Sequence, residues 1–313
     1  MQKSIAIIGT GLIGQGWAIV FAQAGYSVRL HDFKEGQTNL AISQITQNLE
    51  DMMQCGLVIS SQEILDRIII CPTLETAVKG VIYVQESVYE EVDIKNKITQ
   101  ALDKVCEPKI IIGSSSSGIP SSAFTHNVLG RDRCLIAHPV NPPYLVKLVE
   151  IVPAPWTKPE NVDKVYQLMK EVGQEPIRVD REIDGFILNR LQGVLLNEAW
   201  ALFEEGYATT EDIDKTISEG LGTRWSFMGP FETIDLNAPH GVSDYAARLK
   251  SLYHDIALSR TAPKQWSQKL IKDVDTEMRK KLNVKNIIDR QRWRDRKLMQ
   301  QLAFKKNQSN LKE

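Results

Sequence analysis

Two groups of residues in this chain have the types and spacing to carry a redox reaction. The first is Gly9-Thr10-Gly11-Leu12-Ile13-Gly14, a G-x-G-x-x-G that follows an apolar run and opens a helix-compatible stretch. An acid, Asp32, ends the next apolar run about 20 residues further on, the spacing of a dinucleotide fingerprint. Gly9 permits the tight turn, Gly11 lets a pyrophosphate approach the backbone, and Gly14 lets helix and strand pack closely. The first amides of the helix then face the phosphates. Asp32 would accept hydrogen bonds from the adenosine ribose and repel a 2′-phosphate, which favours NAD over NADP. Lys34 beside it works the other way. A purely structural glycine turn with a coincidental acid is the competing reading.

The second group is His138 and Glu150. His138 ends an apolar run and is followed by Pro139-Val140-Asn141-Pro142-Pro143. A histidine at the carboxyl end of a strand, held by a proline-stiffened turn, has the place and the chemistry of a general base. A hydrogen-bonded structural histidine reads the same way. Glu150 lies within the apolar stretch 147–152, so its carboxylate would be partly buried and in need of a partner. A hairpin-like return would bring it to His138, though residue types alone leave that open.

The elements that must position these groups read as α/β. Strands are predicted at 4–8, 28–31, 68–71, 81–85, 110–113 and 134–138, with helical segments between several of them, the first from Gly14 to Gln23 and closed by Gly25. Strands alternating with helices imply a parallel sheet covered on both faces. After about residue 180 helical patterns take over. The stretch 186–205 is apolar nearly all round, which predicts a helix buried centrally or in a subunit interface and so a homodimer. Thr209 and Asp212 resemble a helix cap, and Gly220 and Gly222 are expected to end the helix they open. The boundary falls near Asp184-Gly185. The expected fold is a Rossmann-type doubly wound sheet domain over 1–184 and an all-α domain over 185–313.

Composition narrows the function classes. A length of 313 residues suits two domains, and a net charge of -1 exerts no global pull on nucleic acid or membranes. Four cysteines without a C-x-x-C pair suggest neither a zinc site nor a redox pair; they fit a reducing, cytoplasmic compartment, and no metal site is expected. The start, from Met1 to Ser4, reads as leading straight into a strand and not as a cleavable signal. The Lys/Arg-rich tail from Arg279 to Lys306 is read as a solvated helix, with Ile287, Ile288, Trp293, Leu298 and Leu302 on its apolar side.

The run Ala137-His138-Pro139-Val140-Asn141-Pro142-Pro143, together with Leu148-Val149-Glu150, Gln85-Glu86-Ser87-Val88 and Gly185-Phe186-Ile187-Leu188-Asn189-Arg190-Leu191, resembles the 3-hydroxyacyl-CoA dehydrogenase superfamily. The resemblance covers nearly the whole chain. It implies that His138 takes the hydroxyl proton while hydride leaves carbon 3, and that Glu150 orients the imidazole. It also implies that Asn189 and Ser117 hold the reacting oxygen, that Glu90 and Lys95 are further cofactor contacts, and that Leu12 and Ile13 are phosphate-loop contacts. Asn141, in the same turn as His138, is expected on the substrate side. Ser116 stands where the family usually has Thr, which retains the hydroxyl. Tyr89 replaces a proline common in one branch, which bears on the loop carrying Glu90.

That branch, resembled through Asn197-Glu198-Ala199-Trp200, Ser218-Glu219-Gly220-Leu221-Gly222 and Gln291-Arg292-Trp293-Arg294-Asp295, implies a small hydroxy acid, L-gulonate, as substrate. The charge pattern agrees with a free acid. From Glu35 to Asp66 there is no Lys or Arg, while Glu35, Glu50, Asp51, Glu63 and Asp66 are acidic, so the polyphosphate of a coenzyme A thioester would be repelled there. A carboxylate substrate suits a guanidinium fork, for which Arg224 is the candidate; a packing arginine reads the same way. A short-chain 3-hydroxyacyl-CoA, a carnitine-type substrate and a non-catalytic structural role are the competing expectations.

Overall fold

The computed structural model describes residues 3–260, 262 and 264–310, with the side chains of 307–310 left aside. Met1 and Gln2 of the start segment lie outside the described residues. Eight strands form one sheet in the order β3-β2-β1-β4-β5-β6-β7-β8. They are β1 (Ser4–Ile8), β2 (Ser27–His31), β3 (Ile68–Ile70), β4 (Tyr83–Glu86), β5 (Ile111–Ser114), β6 (Cys134–Pro139), β7 (Leu148–Pro153) and β8 (Glu175–Arg178). Every neighbouring pair is parallel except β6 and β7. The chain reverses across the sheet at β1, whose neighbours are β2 and β4. In open α/β sheets the crevice at that switch point takes the ligand.

The unbroken apolar run of β1 has a direct cause. Ile5 and Ile7 enter a core on one face with Trp17, Ile19 and Phe21 of helix α1 (Leu12–Gln23), while Ala6 and Ile8 enter a second core on the other face with Leu74, Val84 and Leu102. Side chains alternate along a strand, so a strand covered on both faces must be apolar at every position. α1 starts two residues earlier than the spacing predicts, with Gly11 as its N-cap. Gly25 follows it at φ +91°. Helix α2 (Gln37–Gln54) sets only Ala41, Ile45, Leu49 and Met52 into the core.

Two compact units emerge: residues up to Arg190 together with those from Asp289 onward, and residues Leu191 to Ile288. The first holds the Rossmann sheet. In the tail helix Ile287–Asn310, Met299 is buried in the core of that first unit, and Leu298 and Leu302 pack against it. Trp293 is exposed, because helical rotation turns it away from the row carrying 298, 299 and 302, and Ile288, at the start of the helix, is exposed as well.

The second unit is all helical. Its first helix, Leu188–Glu204, buries none of its residues: Leu191 is 64% and Val194 72% exposed. Thr209 caps the next helix by accepting from the amide of Asp212 at 3.2 Å. Gly220 and Gly222 do not end that path. A π turn over Thr216–Leu221 carries it into the short helix Gly222–Trp225, since neither glycine takes the left-handed conformation that stops a helix. Among the described residues no helix is long and apolar enough to cross a membrane.

Candidate active site

At the N-terminus of α1 the three glycines have different environments. Gly9 has φ +92°, and a Cβ there would stand 2.5 Å from the carbonyl oxygen of Ser87. A Cβ on Gly14 would run into the carbonyl of Gly9. Gly11 differs: a Cβ there would meet no protein atom within 4 Å. Nothing in the protein requires glycine at position 11, so its small size fits a cradle for a closely approaching ligand. α1 has no side-chain cap and no acid in its first turn, which leaves the amides of Leu12 and Ile13 to an anion. The Leu12 side chain is 70% exposed, so the backbone makes this contribution. Asp32 follows β2. Its Oδ2 accepts from the amide and hydroxyl of Thr10 at 2.7 and 2.9 Å, and its Oδ1 accepts from the amide of Lys34 at 2.9 Å. The carboxylate is thereby fixed beside the glycine turn. NAD fits these residues: Gly9, Gly11 and Gly14 shape the turn, the α1 amides would meet the pyrophosphate, and Asp32 would meet the ribose.

The histidine–carboxylate pair comes from the single antiparallel step in the sheet. In the β6–β7 ladder His138 lies directly opposite Glu150. Their side chains share a face, and His138 Nδ1 meets Glu150 Oε2 at 2.8 Å, both residues being buried. The other carboxylate oxygen, Oε1, accepts the amides of Ile187 and Leu188 at 2.8 and 3.0 Å. Burial pushes the Glu150 carboxyl up, but the His138 hydrogen bond and the two amides outweigh it and hold the group below the usual carboxylate range. An ionised Glu150 accepts the Nδ1 proton of His138 and leaves Nε2 as the basic nitrogen.

Those amides are aimed by a corner that residue types did not reveal. Gly185 and Phe186 both have positive φ, 74° and 49°. A left-handed phenylalanine is strained. Here the ring is fully buried, with its centroid 5.8 Å from that of His138. The corner turns the first amides of helix Leu188–Glu204 onto Glu150 and brings Asn189 to the Ser117 loop, where its Nδ2 donates to the Ser117 carbonyl at 2.5 Å.

Ser117 is also held from the other side. Glu90 Oε1 accepts from the Ser116 hydroxyl at 2.8 Å, the Ser117 amide at 2.7 Å, the Ser117 hydroxyl at 3.2 Å and the Gly118 amide at 3.1 Å. Burial opposes ionisation of Glu90, but Lys95 and these donors outweigh it, so its carboxyl also stays below the usual range. Lys95 is 1% exposed, and its ammonium lies 3.2 Å from Glu86 and 3.4 Å from Glu90. Lys95 is therefore internal, and any influence it had on a cofactor would run through Glu90. Ser116 uses the hydroxyl that a threonine would bring, and Tyr89, 72% exposed, leaves Glu90 in place. Glu86 is the residue that pattern reading passed over. Fully buried at the end of β4, it accepts from Lys95, from the Val88 amide at 2.6 Å and from the Ser114 hydroxyl at 2.5 Å. A charged residue closing a buried strand was its only signal.

The structure thus joins His138, Glu150, Asn189, Ser117, Glu90 and Lys95 in one hydrogen-bonded chain within the first unit. Asn141 is exposed in the turn between β6 and β7. Arg224 is exposed on the short helix Gly222–Trp225 of the second unit, and among the described residues no acid pairs with it.

A glycine cradle for NAD and a buried His–Glu pair define a dehydrogenase class. Residues 4–183 match the model for 3-hydroxyacyl-CoA dehydrogenase, NAD binding domain, and residues 185–285 that for 3-hydroxyacyl-CoA dehydrogenase, C-terminal domain. The chain belongs to the 3-hydroxyacyl-CoA dehydrogenase superfamily and binds NAD. Within it the chain is a lambda-crystallin-like member. It is 39% identical over 310 residues to lambda-crystallin of Oryctolagus cuniculus, which covers 97% of this chain and 96% of that protein. It is 37% identical over 235 residues to L-carnitine dehydrogenase of Oceanobacillus iheyensis, covering 75% and 76%. Among solved structures it is similar to the 3-hydroxyacyl-CoA dehydrogenase of Archaeoglobus fulgidus, with a TM-score of 0.70, 27% identity and 87% of each chain covered.

Proposed function

We propose that the chain oxidises the 3-hydroxyl of a small free hydroxy acid, with L-gulonate as the substrate and 3-dehydro-L-gulonate as the product. NAD, when bound, supplies the hydride acceptor. His138 Nε2 takes the hydroxyl proton as the C3–H bond gives up its electron pair, so carbon 3 becomes a ketone. The imidazolium formed is stabilised by ionised Glu150. Ser117 and Asn189 hold the reacting oxygen, and Asn141 and Arg224 serve the substrate side, Arg224 forking its carboxylate.

The observation that carries this reading is the buried His138–Glu150 pair at 2.8 Å. The free-acid part rests on charge. Glu35, Glu50, Glu63 and Asp66 are exposed on and around α2, with no Lys or Arg between 35 and 66 to meet a polyphosphate. The test is a substrate panel with NAD. NADH formation with L-gulonate, lost in His138→Ala, is expected; no turnover of L-gulonate removes the substrate claim. The superfamily's own name favours a second reading, a short-chain 3-hydroxyacyl-CoA, and faster turnover of 3-hydroxybutyryl-CoA than of any free acid decides for it. Carnitine in the same panel separates the carnitine-type reading. The intact His138–Glu150–Asn189 set argues against a purely structural role.

We also propose that residues 1–184 hold the nucleotide, that residues 185–313 serve substrate and subunit pairing, and that the chain works as a homodimer in the cytoplasm. In the second unit Leu191, Val194, Phe227, Phe231 and Leu236 are exposed, an apolar display that a second copy would cover. Sedimentation of wild type against Val194→Asp tests the pairing. Cys55, Cys71, Cys106 and Cys134 are all free thiols, with no disulfide among the described residues, which suits a reducing compartment.

A further inference from the structure

Cofactor binding uses the first turn of α1. The second turn makes two contacts that a pyrophosphate cradle does not need. A Cβ on Gly16 would stand 2.5 Å from Cδ and 2.9 Å from Cγ of Pro143. Carbon atoms in contact lie about 3.5–4.0 Å apart, so no side chain fits there. The backbone of Gly16 is not left-handed; closeness alone requires the glycine. Pro143 belongs to the turn between His138 and Glu150. The amides of Leu145 and Val146 both donate to the Pro142 carbonyl at 3.0 Å and tie that turn together. The next residue, Trp17, is fully buried, and its Nε1 donates to the Ser115 hydroxyl at 3.1 Å. Ser115 stands two residues before Ser117 and also accepts from Gln85 Nε2 at 2.7 Å.

Consecutive residues of one helix therefore touch the turn behind the base and the loop behind Ser117. The start of the same helix carries the glycine cradle. A helix is stiff over one turn, so these three features share one frame. We propose that Gly16 and Trp17 are positioning residues, a spacer that sets the distance of the His138–Asn141 turn and of the Ser117 loop from the dinucleotide; this rests on the redox reading above. A methyl group at position 16 would push the Pro143 ring, and the turn with it, by up to about 1 Å to restore contact distance.

The test is a double-mutant cycle of Gly16→Ala and Pro143→Ala, with Trp17→Phe alongside. Gly16→Ala is expected to bind NADH, followed by its fluorescence, within about threefold of wild type while kcat falls about 10²-fold. In the Pro143→Ala background, where the ring is gone, Gly16→Ala should cost less than about threefold. Trp17→Phe keeps the ring and loses the Ser115 bond, and should lower kcat at unchanged NADH affinity. The low-field proton resonance of His138 Nδ1 needs no substrate; it should move in Gly16→Ala and return in the double variant. Equal loss of kcat in both backgrounds, parallel loss of NADH affinity, or an unmoved resonance overturns the proposal. If Gly16→Ala alone fails to fold, the double variant should fold with the activity of Pro143→Ala, and its failure likewise overturns it. A wild type that turns over no hydroxy acid defeats the redox reading, while the resonance still decides the spacing claim.

Discussion

Asn189 donates its side-chain amide to the carbonyl of Ser117 across 72 residues of sequence, and the two residues that precede Asn189 donate their backbone amides to Glu150. One helix start thereby ties the loop of Ser117 to the carboxylate that partners His138. Asn189→Ala should lower kcat about 10²-fold by freeing that loop, the size of effect seen when one positioned donor is lost. The acid limb of the pH–rate profile should stay where it is in wild type, because the His138–Glu150 bond does not involve the Asn189 side chain. Initial rates from pH 5 to 9 check both parts.

Removing the proposed base is a sharper test. His138→Ala should reduce kcat about 10³-fold or more and leave NADH binding unchanged, since no cradle residue contacts the imidazole. Glu150→Gln should give an intermediate loss, with the imidazole no longer held against a charge. Rates read beside fluorescence titration of NADH separate chemistry from cofactor binding.

Glu150 also makes a statement about stability. Its carboxyl ionises more readily folded than unfolded. Its contribution is therefore fully present above the unfolded value, about 4.3, and is lost as pH falls through the lower folded value. Glu150→Gln should cost about 2 kcal/mol at pH 7, the scale of hydrogen bonds to a charged group. That difference should shrink as the pH drops below about 4. Urea unfolding of both proteins at pH 7, 5, 4 and 3 measures it.

The glycines of the cradle make opposite predictions. Gly14→Ala collides with the Gly9 carbonyl and should lower the melting temperature by several degrees, on the order of 2–4 °C per kcal/mol in a protein of this size class. Gly11→Ala meets no protein atom, so its melting temperature should match wild type while NADH affinity falls at least about tenfold. Paired thermal melts and NADH titrations distinguish the two.

Asp32 is the residue proposed to set cofactor choice. Asp32→Ala removes the charge that repels a 2′-phosphate and leaves Lys34 in place, so the preference for NAD over NADP in kcat/KM should fall about 10²-fold. The same change strands the Thr10 amide, which the carboxylate accepts at 2.7 Å, so some stability is lost with it. Rates with the two nucleotides read the first effect and melts the second.

What could be read from residue order follows the range of the interactions. The G-x-G-x-x-G with Asp32 is a local strand–turn–helix device, and strands 4–8 and 134–138 are legible because burial on both faces makes their middles, Ile5 to Ile8 and Leu135 to Ala137, apolar without a break. His138 and Glu150 are each legible, but their meeting depends on antiparallel register across the eight-residue turn 140–147. β8 escaped notice because Glu175-Pro176-Ile177-Arg178 is short, charged and at the sheet edge. Gly220 and Gly222 read as stops, yet the backbone passed both in helical conformation. The left-handed Phe186, the hub at Glu86 and the contact of Gly16 with Pro143 are tertiary facts. Their causes lie in residues far along the chain.

The direct opposition of His138 and Glu150 across the β6–β7 ladder makes the register of these two strands a chemical quantity. Strand side chains alternate in direction, so a slip of β7 by one residue would carry the carboxylate to the far surface of the sheet and leave the imidazole without its counter-charge. A slip by two would restore the face and still part the two groups by about 7 Å along the strand. The turn 140–147 tolerates a change in length only where it absorbs that change and leaves the alignment in place. What looks like ordinary sheet geometry is, in effect, what keeps imidazole and carboxylate together.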